Sequence, residues 1–215
     1  MNDKKKVFRT RPRDRKPVAA KDYIGKRFGS KKMSRVNVVE QDFAKELLSR
    51  IGPDSKVLDV PCGSGRFVPV FSNAAKMYAV DINEGMLAEA KEKAPDAENC
   101  EFMLGSILEI PLAKESVDLV FCMRLLHHVA TPEERSAIFK ELCRVSKKWV
   151  AITFYRKESW PYIRKKIRGK KINGQPIKRG LFYKEARDHG MELVHSVNVW
   201  NSRQTLALFR VDQSG

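Results

Sequence analysis

Val57-Leu58-Asp59-Val60-Pro61-Cys62-Gly63-Ser64-Gly65 carries a short, mostly apolar run straight into a turn that holds two glycines. The run reads as a buried strand. Glycine suits the turn for two reasons: it tolerates positive φ, and it lacks the Cβ that would hold a ligand off the backbone. In an open parallel sheet, ligands settle at the carboxyl ends of strands, where this turn would lie. A glycine turn is also a common structural link between strand and helix, so its meaning depends on what flanks it.

Outward from the turn, β-type runs at Lys56–Val60, Lys76–Asp81, Glu101–Leu104 and Val117–Cys122 alternate with helical stretches after Gly65 and near Glu84–Lys93. Such alternation predicts a parallel sheet covered on both faces. Upstream, Val38, Val39, Phe43, Leu47 and Leu48 recur at helical spacing from about Val36 to Ile51, and Gly52-Pro53 closes this lead-in helix. Downstream, Thr131-Pro132-Glu133-Glu134 opens a helix, with Thr131 as N-cap, Pro132 in the first helical position and Glu134 reaching back to the cap. Trp149–Phe154 reads as a fifth strand, and a helix near Phe182–His189 stops at Gly190. Glu192–Val199 and Thr205–Val211 are the last two strands; the link at Asn201-Ser202-Arg203 is too short for a crossover helix, so they should pair antiparallel. The predicted fold class is α/β: a seven-stranded, mostly parallel sheet with an antiparallel last strand and helices on both faces.

At 215 residues and 42% hydrophobic content, the chain can bury one core without disulfides or metals. Cys62, Cys100, Cys122 and Cys143 form no Cys-x-x-Cys pair, so neither a zinc site nor a redox motif is expected, and the thiols read as reduced and structural. No run approaches the ~18 to 20 apolar residues of a membrane span, and the N-terminus is too basic for a secretory signal. The expected location is cytoplasmic, with a peripheral place on the inner face of a membrane as a further option. Sequence alone gives no oligomeric state.

Asp81 ends the second strand, 16 residues past Gly65. A carboxylate there can accept from both hydroxyls of an adenosine ribose, or it can cap the following helix, although Asn83 is available for capping. Dinucleotide sites need a third glycine where this chain has Val68, and a phosphate-binding loop needs Gly-Lys-Ser/Thr, which is absent. An adenosine ligand without a phosphate chain fits what remains. S-adenosylmethionine (SAM) is such a ligand.

The order of these motifs from Val57 to Val150 resembles the class I SAM-dependent methyltransferase family, type 11-like, with its Rossmann-like fold. The resemblance implies a transferase that uses SAM as cofactor. By position, Asp59 would orient the loop and the cofactor's amino group, Cys62, Gly63, Ser64 and Gly65 would approach its methionine part, and Asp81 would hold the ribose. Ile82 and Met86 would pack beside ribose or adenine, and Met123 would lie beside the methyl group. Many relatives carry an acidic residue after the third strand; this chain has Gly105-Ser106-Ile107, leaving the adenine edge to Ser106, Ile107 or the backbone. Pro61 replaces a frequent glycine.

Methyl transfer from a sulfonium needs alignment more than acid–base chemistry, so a general base is optional. His127 and His128 are the candidate catalytic bases, with a packing role as the alternative. Arg124 is a candidate for binding an acidic substrate or for an ordinary ion pair.

The formal charge of +16 is unevenly spread. Residues 1–35 hold 14 Lys/Arg against 3 Asp/Glu, residues 36–155 hold 14 against 18, and residues 156–180 hold 10 against 1. The domain of residues 36–215 is thus an ordinary core with two anion-seeking appendages, an N-terminal arm of residues 1–35 expected to be flexible and the insert 156–180. Within the insert Trp160, Ile163 and Ile167 recur at helical spacing among Arg164, Lys165, Lys166 and Arg168. Trp160, Tyr162 and Arg164 are candidate substrate-binding residues. The two basic segments suit an anionic membrane surface or RNA phosphates, and the insert alternatively forms a lid. The favoured function is methylation of an anionic small or lipid-linked acceptor. The alternatives are an RNA (tRNA or rRNA) methyltransferase and a non-catalytic SAM-fold binding protein.

Overall fold

In the computed structural model, residues 31–212 are described, with side chains from Arg35 onward. A helix, α1 (Lys31–Ile51), precedes the alternating part: β1 (Lys56–Asp59), β2 (Lys76–Asp81), α2 (Glu84–Lys93), β3 (Cys100–Leu104) and β4 (Val117–Cys122). There follow α3 (Pro132–Val145), β5 (Ser146–Tyr155), α4 (Trp160–Ile167), α5 (Arg179–Arg187), β6 (Met191–Asn198) and β7 (Gln204–Val211). The expected basic arm falls outside the described residues up to residue 30. Its last five positions are already helical, so α1 begins earlier than the apolar periodicity alone indicates.

The strands form one sheet in the order β3-β2-β1-β4-β5-β7-β6. Pairing is parallel from β3 through β5, while β7 runs antiparallel to both β5 and β6. Chain order reverses between β1 and β4, and at such a switch the loops diverge and leave a crevice at the carboxyl edge. The ends of β5 and β6 and the start of β7 lie along that same edge.

Two apolar layers cover the sheet. On one face α1 contributes Phe43 and Leu47, which pack with Phe67, Phe71, Met77 and Phe121; the rings of Phe67 and Phe71 meet Phe121 edge-on at 4.7 and 5.1 Å. On the other, α3 and α5 bury Ile138, Phe139, Leu142 and Phe182 against Ile152 and Phe209. The α3 start has the reciprocal cap read from the sequence, with Glu134 N donating to Thr131 Oγ1 and Thr131 N to Glu134 Oε2, both at 3.2 Å.

One expected helix is absent. After Gly65 the chain makes successive tight turns, closed by Val68 N to Gly65 O, Val70 N to Phe67 O and Ala74 N to Phe71 O. Pro69 has no N–H for an α-helical ladder, which explains the correction. Conversely, β5 starts three residues earlier than expected, because Val117 pairs with Ser146 beyond a bulge, and the exposed Lys147 and Lys148 concealed that extension.

The basic insert is closed onto the sheet at its base. Ile177 N donates to Tyr155 O at 2.8 Å and Lys157 N to Ile177 O at 3.0 Å, so the excursion leaves and returns at the tip of β5. Gln175 N donates to His127 O at 2.7 Å, which lays its returning limb beside the end of β4.

Candidate active site

The turn after β1 and the tip of β2 are bound together by backbone groups. Cys62 N donates to Val80 O at 2.9 Å, and Gly63 N donates to Asp81 Oδ2 at 2.8 Å. The other carboxylate oxygen, Asp81 Oδ1, accepts from Asn83 N at 2.9 Å. A carboxylate offers about four acceptor positions, so the amides drawn to it leave acceptor capacity for a vicinal diol. Asp81 is not the helix cap: Asn83 is, its side chain accepting from Met86 N.

The two glycines serve different ends. Gly63, at φ +55°, has nothing within 4 Å of where a Cβ would stand, so the space above it is open. Gly65, at φ +73°, would bring a Cβ to 2.9 Å from Ala90 Cβ, and glycine there lets the turn lie against α2. Ile82 projects into solvent beside Asp81, and Met86 is half-buried on the first turn of α2. Ser64, Cys62 and Met123 are buried, and the latter two belong to the core layer beneath the turn. Ser106 Oγ accepts from Leu108 N at 3.2 Å, and Ile107 packs against the opposite core layer.

Asp59 differs from every other carboxylate in the cradle. It is fully buried at the carboxyl end of β1, and neither oxygen has a hydrogen-bond partner among the described residues. Burial holds its pKa well above the usual carboxylate range; nearby Arg66 opposes this and Asp81 reinforces it. Asp59 makes no hydrogen bond to the glycine turn, whereas Asp81 accepts one from Gly63 N. A buried carboxylate without partners is costly, and an ammonium group placed against it would satisfy both charge and hydrogen bonding. A ribose diol at Asp81, open space over Gly63 and an ammonium at Asp59 together describe the two ends of SAM, and the cradle fits it.

Beside the cradle, Glu40 of α1 is wholly buried and draws three donors together. Arg124 Nε donates to its two oxygens at 2.8 and 3.0 Å, Arg66 Nη1 lies 2.6 Å from Oε2, and Gln204 Nε2 donates to Oε1. Arg124 sits just past β4 at φ +59°, its N–H given to Thr153 Oγ1 at 2.6 Å. Its guanidinium is thus engaged inward. His127 is buried and stacks on Tyr155 at 4.2 Å, with the exposed His128 ring 4.0 Å from it. The Arg203 guanidinium also lies over the Tyr155 ring, 4.5 Å from its centroid.

Residues 58–152 match the family described as a methyltransferase domain. The matched segment runs from β1 into β5 and contains the whole cradle. An uncharacterized methyltransferase of Schizosaccharomyces pombe is 33% identical over 131 residues, 57% of this chain and 51% of that protein. The malonyl-[acyl-carrier protein] O-methyltransferase of Methylococcus capsulatus is 30% identical over 134 residues, 58% and 48% of the two chains. The chain therefore spans about half the length of these curated relatives. Magnesium protoporphyrin IX methyltransferase from Synechocystis, solved with bound SAH, shares the fold at TM-score 0.72 and 19% identity, over 88% of each chain.

At the other end of the carboxyl edge, an open cavity of about 420 Å³ lies where the end of β5, α4 and the β6–β7 turn meet. Arg156, Trp160, Arg164 and Trp200 line it. Arg156 is anchored there by donating to Gln204 O at 2.6 Å and Thr205 Oγ1 at 3.1 Å. Of the three insert residues singled out from the sequence, Trp160 and Arg164 reach this cavity and Tyr162 does not line it. Among the described residues no group of His, Cys, Asp and Glu could hold a metal ion, and no helix is long and apolar enough to cross a membrane. All four cysteines are free; burial raises each thiol above its ordinary value, Cys100 and Cys143 to about 12.

Glu40, Arg66, Tyr155 and Trp200 were not singled out from the sequence. Glu40 did leave a signal: it shares the buried face of α1 with Val36, Phe43, Ala44 and Leu47, and a charge on an apolar face needs a partner. Trp200 left one as well, a large apolar side chain in a turn of polar residues. Tyr155 and Arg66 left none.

Proposed function

We propose that this chain is an active SAM-dependent methyltransferase whose acceptor is an anionic small or lipid-linked molecule. The observation that carries the cofactor half is the unpartnered, buried Asp59 carboxylate set beside the Asp81–Gly63 bracket. When bound, SAM supplies a methyl group already activated on a sulfonium. The domain's own residues then have three tasks: Asp81 holds the ribose, Asp59 holds the ammonium, and the turn at Gly63 leaves room for the chain between them. Ile82 and Met86 offer apolar surface to the adenine.

On the other side, Arg156 and Arg164 give the cavity its positive charge, and Trp160 and Trp200 give it flat apolar walls. This combination suits an anion attached to an apolar body. Holding a nucleophile in line with the methyl group can supply roughly 7–11 kcal/mol of the barrier reduction. The acceptor's proton, where it has one to lose, passes to His128 at the exposed end of the pair or to water. His127 is held between the stacked Tyr155 ring and the tilted His128 ring and serves as its positioning neighbour.

Transfer of label from radioactive SAM to fractionated cell extract tests the whole reading. Label in the small-molecule or lipid fraction is the expected result. Label in RNA would replace the acceptor class, and failure to take up SAM at millimolar concentration, measured by calorimetry, would remove the enzyme.

A further inference from the structure

An amphipathic helix in a globular protein normally turns its apolar stripe toward the core. In α4 the stripe is turned the other way. Trp160, Ile163 and Ile167 lie at helical spacing and are 65%, 37% and 76% exposed, and the helix has no buried residue. The positions nearest the body are instead Pro161, Tyr162 and Lys165, which are half-buried. Trp200, 90% exposed on the β6–β7 turn, faces the same cavity as Trp160 and extends the apolar surface across it. Arg164, Lys166 and Arg168 border the stripe, and Lys170 and Lys171 follow, all exposed.

We infer that α4 and Trp200 form a docking surface for an anionic lipid bilayer. The charge border selects an anionic occupant, because a second copy of this chain would bring like charges face to face around the stripe. The two isoleucines then select the kind of anion. A nucleic acid offers phosphates and flat bases, which reward arginine and aromatic rings but gain nothing from an aliphatic side chain. A bilayer rewards all three parts: aliphatic side chains enter the acyl boundary, tryptophans settle at headgroup level, and Lys and Arg meet anionic headgroups. Docked in this way, the carboxyl edge of the sheet faces the membrane, and the cavity between Trp160 and Trp200 opens onto it. The docking itself does not depend on which molecule is methylated.

The test uses the full chain with vesicles of phosphatidylcholine alone and of phosphatidylcholine mixed with phosphatidylglycerol at about two to one. Sedimentation with the mixed vesicles, a blue shift of tryptophan emission and at least about tenfold weaker binding to the neutral vesicles are expected. In the double variant Ile163→Ser/Ile167→Ser, vesicle affinity should fall about tenfold or more while circular dichroism and SAM binding stay as in wild type. If that variant keeps its vesicle affinity, basic charge alone explains the attraction and the inference is overturned. It is equally overturned if single-stranded RNA displaces the chain from vesicles and binds the double variant as tightly as wild type. None of these readouts requires turnover, so a failure of the proposed activity and a failure of docking remain distinct results.

Discussion

At the β1–β2 end of the carboxyl edge, position is set by the backbone: Gly63 N and Asn83 N hold Asp81, Cys62 N holds β2, and Gly65 lies against Ala90. At the β5–β7 end, position is set by side-chain reach, with Arg156 stretched across β7, Arg203 laid on Tyr155 and two tryptophans standing in solvent. The first end is built for one ligand shape and tolerates little change. The second has chemistry without rigidity, and its residues can be exchanged without threatening the fold. Between them stands Glu40, whose partners Arg66 and Arg124 lie on the first side and whose partner Gln204 lies on the second.

Glu40→Ala is therefore the harshest way to break that division. It leaves two guanidinium groups, with side chains only 11% and 10% exposed, facing a void without their anion. Removing one member of a buried ion pair costs about 3–5 kcal/mol. Denaturant unfolding should show a loss of that size, with SAM binding and the acceptor end both impaired. A loss below about 1 kcal/mol would mean that the network relaxes freely and that the ends are uncoupled.

Asp81→Ala acts on the first end alone. Two hydrogen bonds from a ribose to a charged acceptor are expected to vanish, weakening SAM by about a hundredfold or 3 kcal/mol in calorimetry. The same variant should leave vesicle binding unchanged. Gly65→Ala tests the backbone rather than the carboxylate. Its Cβ would meet Ala90 at 2.9 Å in a left-handed conformation, at a cost of about 1–3 kcal/mol in stability.

Asp59 gives the division a pH signature. Its folded pKa is raised, mainly by burial, so the stability it contributes is complete below the ordinary carboxylate pKa and is lost as pH rises through the raised folded value. The ligand-free protein should lose stability as pH rises above the ordinary carboxylate range, and Asp81, also raised by burial, adds in the same direction. A bound ammonium favours the ionised form, so SAM binding should release a proton and strengthen with pH across that window. Calorimetry in two buffers of different ionisation enthalpy reads the proton directly. Asp59→Asn should abolish the release and stabilise the free protein above the ordinary carboxylate range by about 1–3 kcal/mol, since there is no longer a carboxylate to bury or neutralise. Equal heats in both buffers for the wild type would show that Asp59 does not take the cation.

How far the sequence could be read follows the same line. The first end is written in short-range signals: a strand, two glycines, a second strand ending in Asp81, and Asn83 as cap all lie within 27 residues, Val57 to Asn83, and their spacing alone brings them together. What each glycine is for was not legible, because Gly65 is required by Ala90 in another element. The second end depends on contacts across 48 to 164 positions, such as Arg156 with Gln204 and Gln204 with Glu40, and no local pattern encodes them. The basic insert was visible as composition. That its apolar stripe faces outward was not, since periodicity gives a stripe but not its direction.

The gentlest variant, Trp200→Ser, isolates the second end. With nine-tenths of the side chain in solvent, its removal takes little from the core, and stability should stay within about 0.5 kcal/mol of wild type. Thermal unfolding with and without SAM should therefore superimpose on the wild-type curves, because Asp59, Asp81 and the glycine turn are untouched. What changes is the wall opposite Trp160: once an acceptor is in hand, its KM should rise while kcat and the SAM dissociation constant hold. That pattern belongs to a residue that binds the acceptor without touching the methyl transfer. A fall in Tm beyond about 4 °C, worth roughly 1 kcal/mol or more for a chain of this length, would instead show that the β6–β7 turn helps to hold the sheet together. The two ends of the edge would then share one cooperative structure, and the freedom assigned to the acceptor side would be lost.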